Sequence, residues 1–156
     1  MARPAIVIGV GGAGQWVLTF LKKDLVEIGN GRVPQEVKLL SFDTLLHPSA
    51  VAGHDADRSP KTQEIRQKKA GAVELTDKTE YIHVGSDLNP LVEKIKEGHM
   101  PHLEWLRADT VIANLPEASL KCDDGAGAIR HLGRLCLIND VQTKAKSKTA
   151  RRISAA

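Results

Sequence analysis

Residues 9–14 read Gly-Val-Gly-Gly-Ala-Gly, and the sequence on either side of them fixes most of what the chain can fold into. Before them, Ala5 to Val10 is a short apolar run without charge, the pattern expected of a strand buried on both faces of a parallel sheet. After them the period changes. Trp16, Val17, Phe20, Leu21, Leu25 and Ile28 recur at three and four, with Lys22, Lys23, Asp24 and Glu27 on the other side, which predicts an amphipathic helix. Gly29-Asn30-Gly31 ends it, and Val33-Pro34 prevents it from resuming. A second strand is expected at Val37 to Phe42, closing with Asp43-Thr44. Strand, glycine turn, helix and strand make a βαβ unit, with parallel strands and a right-handed crossover. The expected fold class is therefore α/β, a Rossmann-like parallel sheet with flanking helices.

The remainder is less regular. A solvent-exposed helix is expected over 61–69, a short strand over Glu80 to Val84, a helix over Asn89 to Lys96 and a strand over Asp109 to Ala113. A last helix is expected through Gly133 to Ile138, opened near Ile129. A length of 156 residues suits one domain. Only five residues are aromatic, so the core must be aliphatic. No stretch approaches the roughly 20 apolar residues of a bilayer-spanning helix, and the chain reads as soluble and cytoplasmic, with no membrane partner. Cys122 and Cys136 are too few for a disulfide framework and lack nearby ligands at metal-binding spacing. They read as structural thiols. His99 and His102 form an H-x-x-H without the closed ligand set of a real site. No catalytic residue and no protein metal ligand is assigned.

Net charge is +3, but Lys144, Lys146, Lys148, Arg151 and Arg152 contribute five positive charges after Asp140 with no acid among them. Residues 142–156 thus read as a basic, disordered tail. An interaction module recruiting an anionic partner through this tail is one function class, and a salt-sensitive one; nucleic acid is not the expected partner.

Gly9 to Gly14 satisfies G-x-G-x-x-G in the context that gives it meaning, after a strand and opening a helix. Without side chains the turn can bring backbone N–H groups to phosphate oxygens, and a helix start adds free donors and the positive end of its dipole. The structural alternative is a tight turn that merely permits close helix-to-sheet packing. The glycines are compatible with more than one class of nucleotide. A dinucleotide fold places an acid about 20 residues beyond the glycines to hold the ribose. Asp43 ends the second strand, the right place, but lies 29 residues after Gly14. A small Rossmann-type protein binding NAD(P) or FAD is the resulting alternative, although Ser41, Ser49 and Ser86 lack any nucleophile-elbow context.

Three segments, taken in order, carry a resemblance. Ile8 to Gly14, the strand end Phe42-Asp43-Thr44, and Gly125-Ala126-Gly127-Ala128-Ile129-Arg130-His131-Leu132-Gly133-Arg134 resemble the first three nucleotide loops of the tubulin and FtsZ superfamily. The third matches the G-A-G-A-x-x-x-x-G-R spacing of FtsZ, and the likeness is strongest to bacterial tubulin-like proteins with long insertions. The resemblance implies GTP or GDP as ligand, with Mg²⁺ held through its phosphates. It places Gly11, Gly12, Ala13, Gly14 and Gln15 under the phosphates and Asp43 and Thr44 near phosphates and metal. Gly125, Ala126, Gly127 and Ala128 become donors to the terminal phosphate, as consecutive small residues suit an anion-binding concavity. Self-association into filaments is implied for the full-length parent.

The departures are specific. Leu45 stands where FtsZ has an acid, and Ile129-Arg130 replace its Asn-Pro, leaving Arg130 as a candidate charge-assisted donor to phosphate. The long separation of Thr44 from Gly125 implies a family-specific insertion at about 45–120 within an incomplete nucleotide-binding domain over 1–141. The superfamily's G-G-G-T-G-[ST]-G is not found before Ala156, so an amino-terminal piece of a longer GTPase, without hydrolysis of its own, is expected.

Overall fold

The computed structural model describes residues 3–46, 73–76, 79–99, 120–122, 125–126, 129–142 and 147–156. Within them a parallel sheet of three strands runs in the order β1 (Ala5–Val10), β2 (Val37–Asp43), β3 (Tyr81–His83). Helix α1 (Gly11–Ile28) connects the first two strands, as the change of period predicts. Helices α2 (Asn89–Lys96), α3 (Arg130–Gln142) and α4 (Lys148–Ser154) follow. The fold is α/β and Rossmann-like. Pairing sets Gly9 opposite Ser41 and Val10 opposite Phe42, then Ser41 opposite Tyr81 and Asp43 opposite His83. All three strands therefore end level, which gathers their carboxyl ends beside the start of α1.

Alternation along the strands divides the sheet into two faces. Helix α1 covers one of them, where Leu18, Leu39, Leu75 and Tyr81 form a buried cluster flanked by Val7, Leu21, Leu25 and Val37. Its approach is limited by backbone. A Cβ on Gly14 would stand 2.8 Å from the Gly9 Cα, and one on Gly9 would stand 2.6 Å from the Gly14 carbonyl oxygen, so only glycine at both positions lets helix and strand meet this closely. Lys22 fastens the same helix to the approach of β3, with Nζ 2.6 Å from Glu80 Oε2 and 2.7 Å from the Glu74 carbonyl. On the opposite face Leu40, Phe42, Ile82 and Val84 pack with Leu137 of α3. A third cluster joins α2 and α3 through Leu91, Val92, Leu132 and Leu135, and both free cysteines are buried in it.

The expectation that β1 is buried on both faces is not met. Ile6, Ile8 and Val10 are 46%, 48% and 59% exposed. An apolar run reports that a strand belongs in a sheet, not where in the sheet it lies. Among the described residues β1 occupies the edge, and Leu137 reaches the cluster over β2 and β3. The strand expected over Glu80 to Val84 is shorter, and α3 opens at Arg130, as expected, but runs past Ile138 to Gln142. β3, a member of the central sheet, falls inside the stretch expected to be an insertion. Residues 61–69 and 109–113 lie outside the described residues.

The expectation of a disordered tail also fails, for residues 147–156. Ser147 caps α4, its Oγ accepting from the Ala150 N–H at 3.0 Å. Asp140 takes the remaining donors: its carboxylate accepts from the Thr149 N–H at 2.8 Å, the Lys148 N–H at 3.1 Å and the Ser147 hydroxyl at 3.1 Å. Burial pushes the Asp140 carboxyl up, but these donors outweigh it and hold its pKa below the usual carboxylate range. An acid at a helix start is also favoured by the dipole. Among the described residues no helix is long and apolar enough to cross a membrane.

Candidate functional site

Three loops meet at the carboxyl ends of the strands. The first is the start of α1. Gly11 takes φ +68° with open space where a Cβ would stand, Gly12 and Gly14 are half-buried, and Ala13 is exposed. Val10 provides no side-chain cap and no acid stands in the first turn. The opening turn thus retains the uncapped donors and partial positive charge of a helix N-terminus. Behind it Gln15 is only 1% exposed, and its Oε1 has no hydrogen-bond partner among the described residues.

The second loop follows β2. Asp43 Oδ1 accepts from the Thr44 N–H at 2.6 Å and the Leu45 N–H at 3.4 Å. Its Oδ2 is buried without a partner among the described residues. Burial raises the Asp43 pKa above the ordinary carboxylate value, against the pull of the Leu45 and Thr44 donors and of nearby His83. Ser41, two residues earlier on the same side of the strand, is fully buried with its Oγ equally unpartnered there. Three acceptors, Gln15 Oε1, Ser41 Oγ and Asp43 Oδ2, therefore stand without a donor on the side of the sheet that α1 covers. Such orphans are uncommon in folded proteins and ask for an explanation.

The third loop supplies the direct connection. Ala126 N–H donates to the Thr44 Oγ1 at 3.0 Å, across 82 positions of sequence, so the second and third loops touch. Gly125 precedes it at φ +109°, a conformation that favours glycine. Arg130 opens α3 and is exposed. Gly127 and Ala128 lie outside the described residues, as does His102 of the H-x-x-H. Among the described residues no group of three or more His, Cys, Asp or Glu side chains gathers to hold a metal.

The sequence-predicted Gly11 to Gln15, Asp43, Thr44, Gly125 and Ala126 thus fall on the loops at one end of the sheet. Sequence reasoning missed Tyr81, whose Oη donates to the Leu45 carbonyl at 2.7 Å, and His83, whose Nε2 lies 3.2 Å from the Thr44 carbonyl. Since a carbonyl only accepts, Nε2 carries the proton in this pair. The signal that would have found them is their spacing: alternate residues of one strand project to one face. Ser41 was missed as a site residue for the same reason.

Comparison with known proteins gives one match. A family model described as tubulin-like matches residues 6–155, all three loops and the basic tail included. Among curated proteins and among solved structures nothing matches.

Proposed function

The chain belongs to the tubulin-like family, and from that premise we propose that it is a cytoplasmic guanine-nucleotide-binding protein whose loops at the carboxyl ends of β1, β2 and β3 form part of the phosphate cradle. The observation that carries this reading is the bond from Ala126 N–H to Thr44 Oγ1. It joins two segments, 82 positions apart in sequence, that the resemblance assigns to nucleotide loops, and they lie beside a glycine turn that opens a helix.

Each part then has a task. The first turn of α1 offers backbone donors and a favourable dipole to phosphate oxygens. Gly125 and Ala126 bring a second set of backbone donors, on a loop whose small side chains permit close approach. The buried acceptors Asp43 Oδ2 and Gln15 Oε1 fit a ligand that brings its own cation or protons, as a magnesium-bound nucleotide does. Mg²⁺ supplies positive charge that neutralises phosphate oxygens and favours the ionised Asp43 carboxylate. Arg130 adds an exposed positive charge at the start of α3. Self-association of tubulin-like chains into filaments, with nucleotide at the contact between subunits, is part of the same proposal.

The test is equilibrium binding of a fluorescent GTP analogue with Mg²⁺ to the parent chain and to Gly12→Asp, with NADH as competitor. Saturable binding that Gly12→Asp weakens at least tenfold, and that NADH does not displace, is the expected outcome. Equal binding by the variant ends the proposed role of the first loop. Displacement by NADH, lost in Asp43→Ala, replaces the guanine-nucleotide reading with a dinucleotide one.

A further inference from the structure

Tyr81 and His83 stand two residues apart in β3, opposite Ser41 and Asp43 in register, so both side chains leave the sheet on the side of those two residues. They end on consecutive carbonyls of the segment after β2. Tyr81 Oη–H donates to the Leu45 carbonyl at 2.7 Å, and His83 Nε2–H donates to the Thr44 carbonyl at 3.2 Å. The Tyr81 side chain is fully buried among Leu18, Leu39 and Leu75, which fixes the direction of its hydroxyl. One anchor would leave the loop free to rotate about it. Two anchors on adjacent peptide units set both its position and its rotation.

The segment held in this way does three things. Its Thr44 and Leu45 N–H groups reach Asp43 Oδ1, and its Thr44 hydroxyl receives the Ala126 N–H. We infer that Tyr81 and His83 are positioning residues, a two-point clamp that sets Thr44 and Asp43 in their binding arrangement before a ligand arrives. The inference rests on the nucleotide reading above. A segment ordered in advance loses less conformational freedom on binding, and affinity rises accordingly.

The test uses the whole chain and three variants, Tyr81→Phe, His83→Ala and His83→Gln. Two quantities are followed: hydrogen exchange at the Ala126 amide in nucleotide-free protein, normalised to the β2 amides that report global opening, and affinity for Mg-GTP. Tyr81→Phe and His83→Ala are expected to speed Ala126 exchange and to weaken Mg-GTP roughly tenfold each. Glutamine keeps an N–H donor at the end of its side chain, so His83→Gln is expected to restore both. Unchanged Ala126 exchange in Tyr81→Phe and His83→Ala overturns the clamp whatever the affinity does. So does a loss that His83→Gln fails to restore. Faster Ala126 exchange in variants of a chain that ignores Mg-GTP leaves the clamp standing and removes the nucleotide reading instead. Should Tyr81→Phe not fold, the two His83 variants decide alone, since that side chain is only half-buried.

Discussion

Where α1 lies over the sheet, the buried surface changes character along the strands. Leu18 and Leu39 give way, toward the carboxyl ends, to Gln15, Ser41 and Asp43, each with an oxygen that lacks a donor among the described residues. The opposite face is mainly apolar: Leu40, Phe42, Ile82 and Val84 are covered, Ile6, Ile8 and Val10 stand half open, and Lys38 lies beside Ile6 near its amino end. Among these residues exposure is greatest on the β1 side of the opposite face, whereas Gln15, Ser41 and Asp43 are buried. A desolvated acceptor without a partner costs stability, and folds keep such groups chiefly where activity needs them. The α1 face combines a packed cluster with the buried polar oxygens of the candidate site, and the other face contributes packing.

The largest expected effect breaks the α1 face. Gly14→Ala drives a methyl group into the Gly9 backbone, and the helix must lift. A loss of about 3 kcal/mol in urea unfolding is expected, at the upper end of ordinary overpacking. A loss under about 1 kcal/mol would mean that α1 slides freely on the sheet and that this face is not close-packed.

A smaller effect, of opposite sign, is expected at Asp43. Burial raises its pKa in the folded chain above the ordinary carboxylate value that it keeps in the unfolded chain, so between these two values the folded state binds more protons than the unfolded state. Stability therefore falls as pH rises through that window and levels off above it. Asp43→Asn should flatten this fall and be at least as stable as the parent at neutral pH, while losing Mg-GTP. Unfolding curves measured from acid to neutral pH check the slope. A parent whose stability rises across the same window would show that Asp43 is stabilised by its donors after all.

The smallest effect sharpens the comparison from the open side. Ile8→Ser removes apolar surface already half exposed, and about 1 kcal/mol or less should be lost. Its neighbour in register, Leu40, is buried, and truncating it to alanine belongs to the class that costs about 2–5 kcal/mol. Equal losses at the two positions would mean that the β1 side is covered in solution.

Much of the fold was legible because it is periodic. The bounds of β1, β2 and α2, and the end of α1, follow from strand-like runs, helical spacing and terminators such as Gly29 and Pro34. The exposure of Ile6, Ile8 and Val10 was not legible, since strand order depends on contacts between distant segments. Composition misled at the tail: a stretch rich in Lys, Ser, Thr and Ala reads as solvated, yet Asp140 and Ser147 satisfy its first turn. The site showed itself in part. Glycines and small residues mark loops, so Gly11 and Ala126 were visible. Tyr81 and His83 act through their hydrogen bonds to a neighbouring backbone, and no local pattern announces such partners.

The docked tail has one more consequence. Lys148 Nζ reaches the His83 carbonyl at the carboxyl end of β3, whereas Ala156 shares a shallow hollow with Pro4, Ala5 and Ile6 at the amino end of β1. The last ten residues therefore run the length of the strands and bring the backbone back beside its own first strand. Residues 147–156 thus tie together the two outer strands of the described sheet, touching β3 at its carboxyl end and β1 at its amino end.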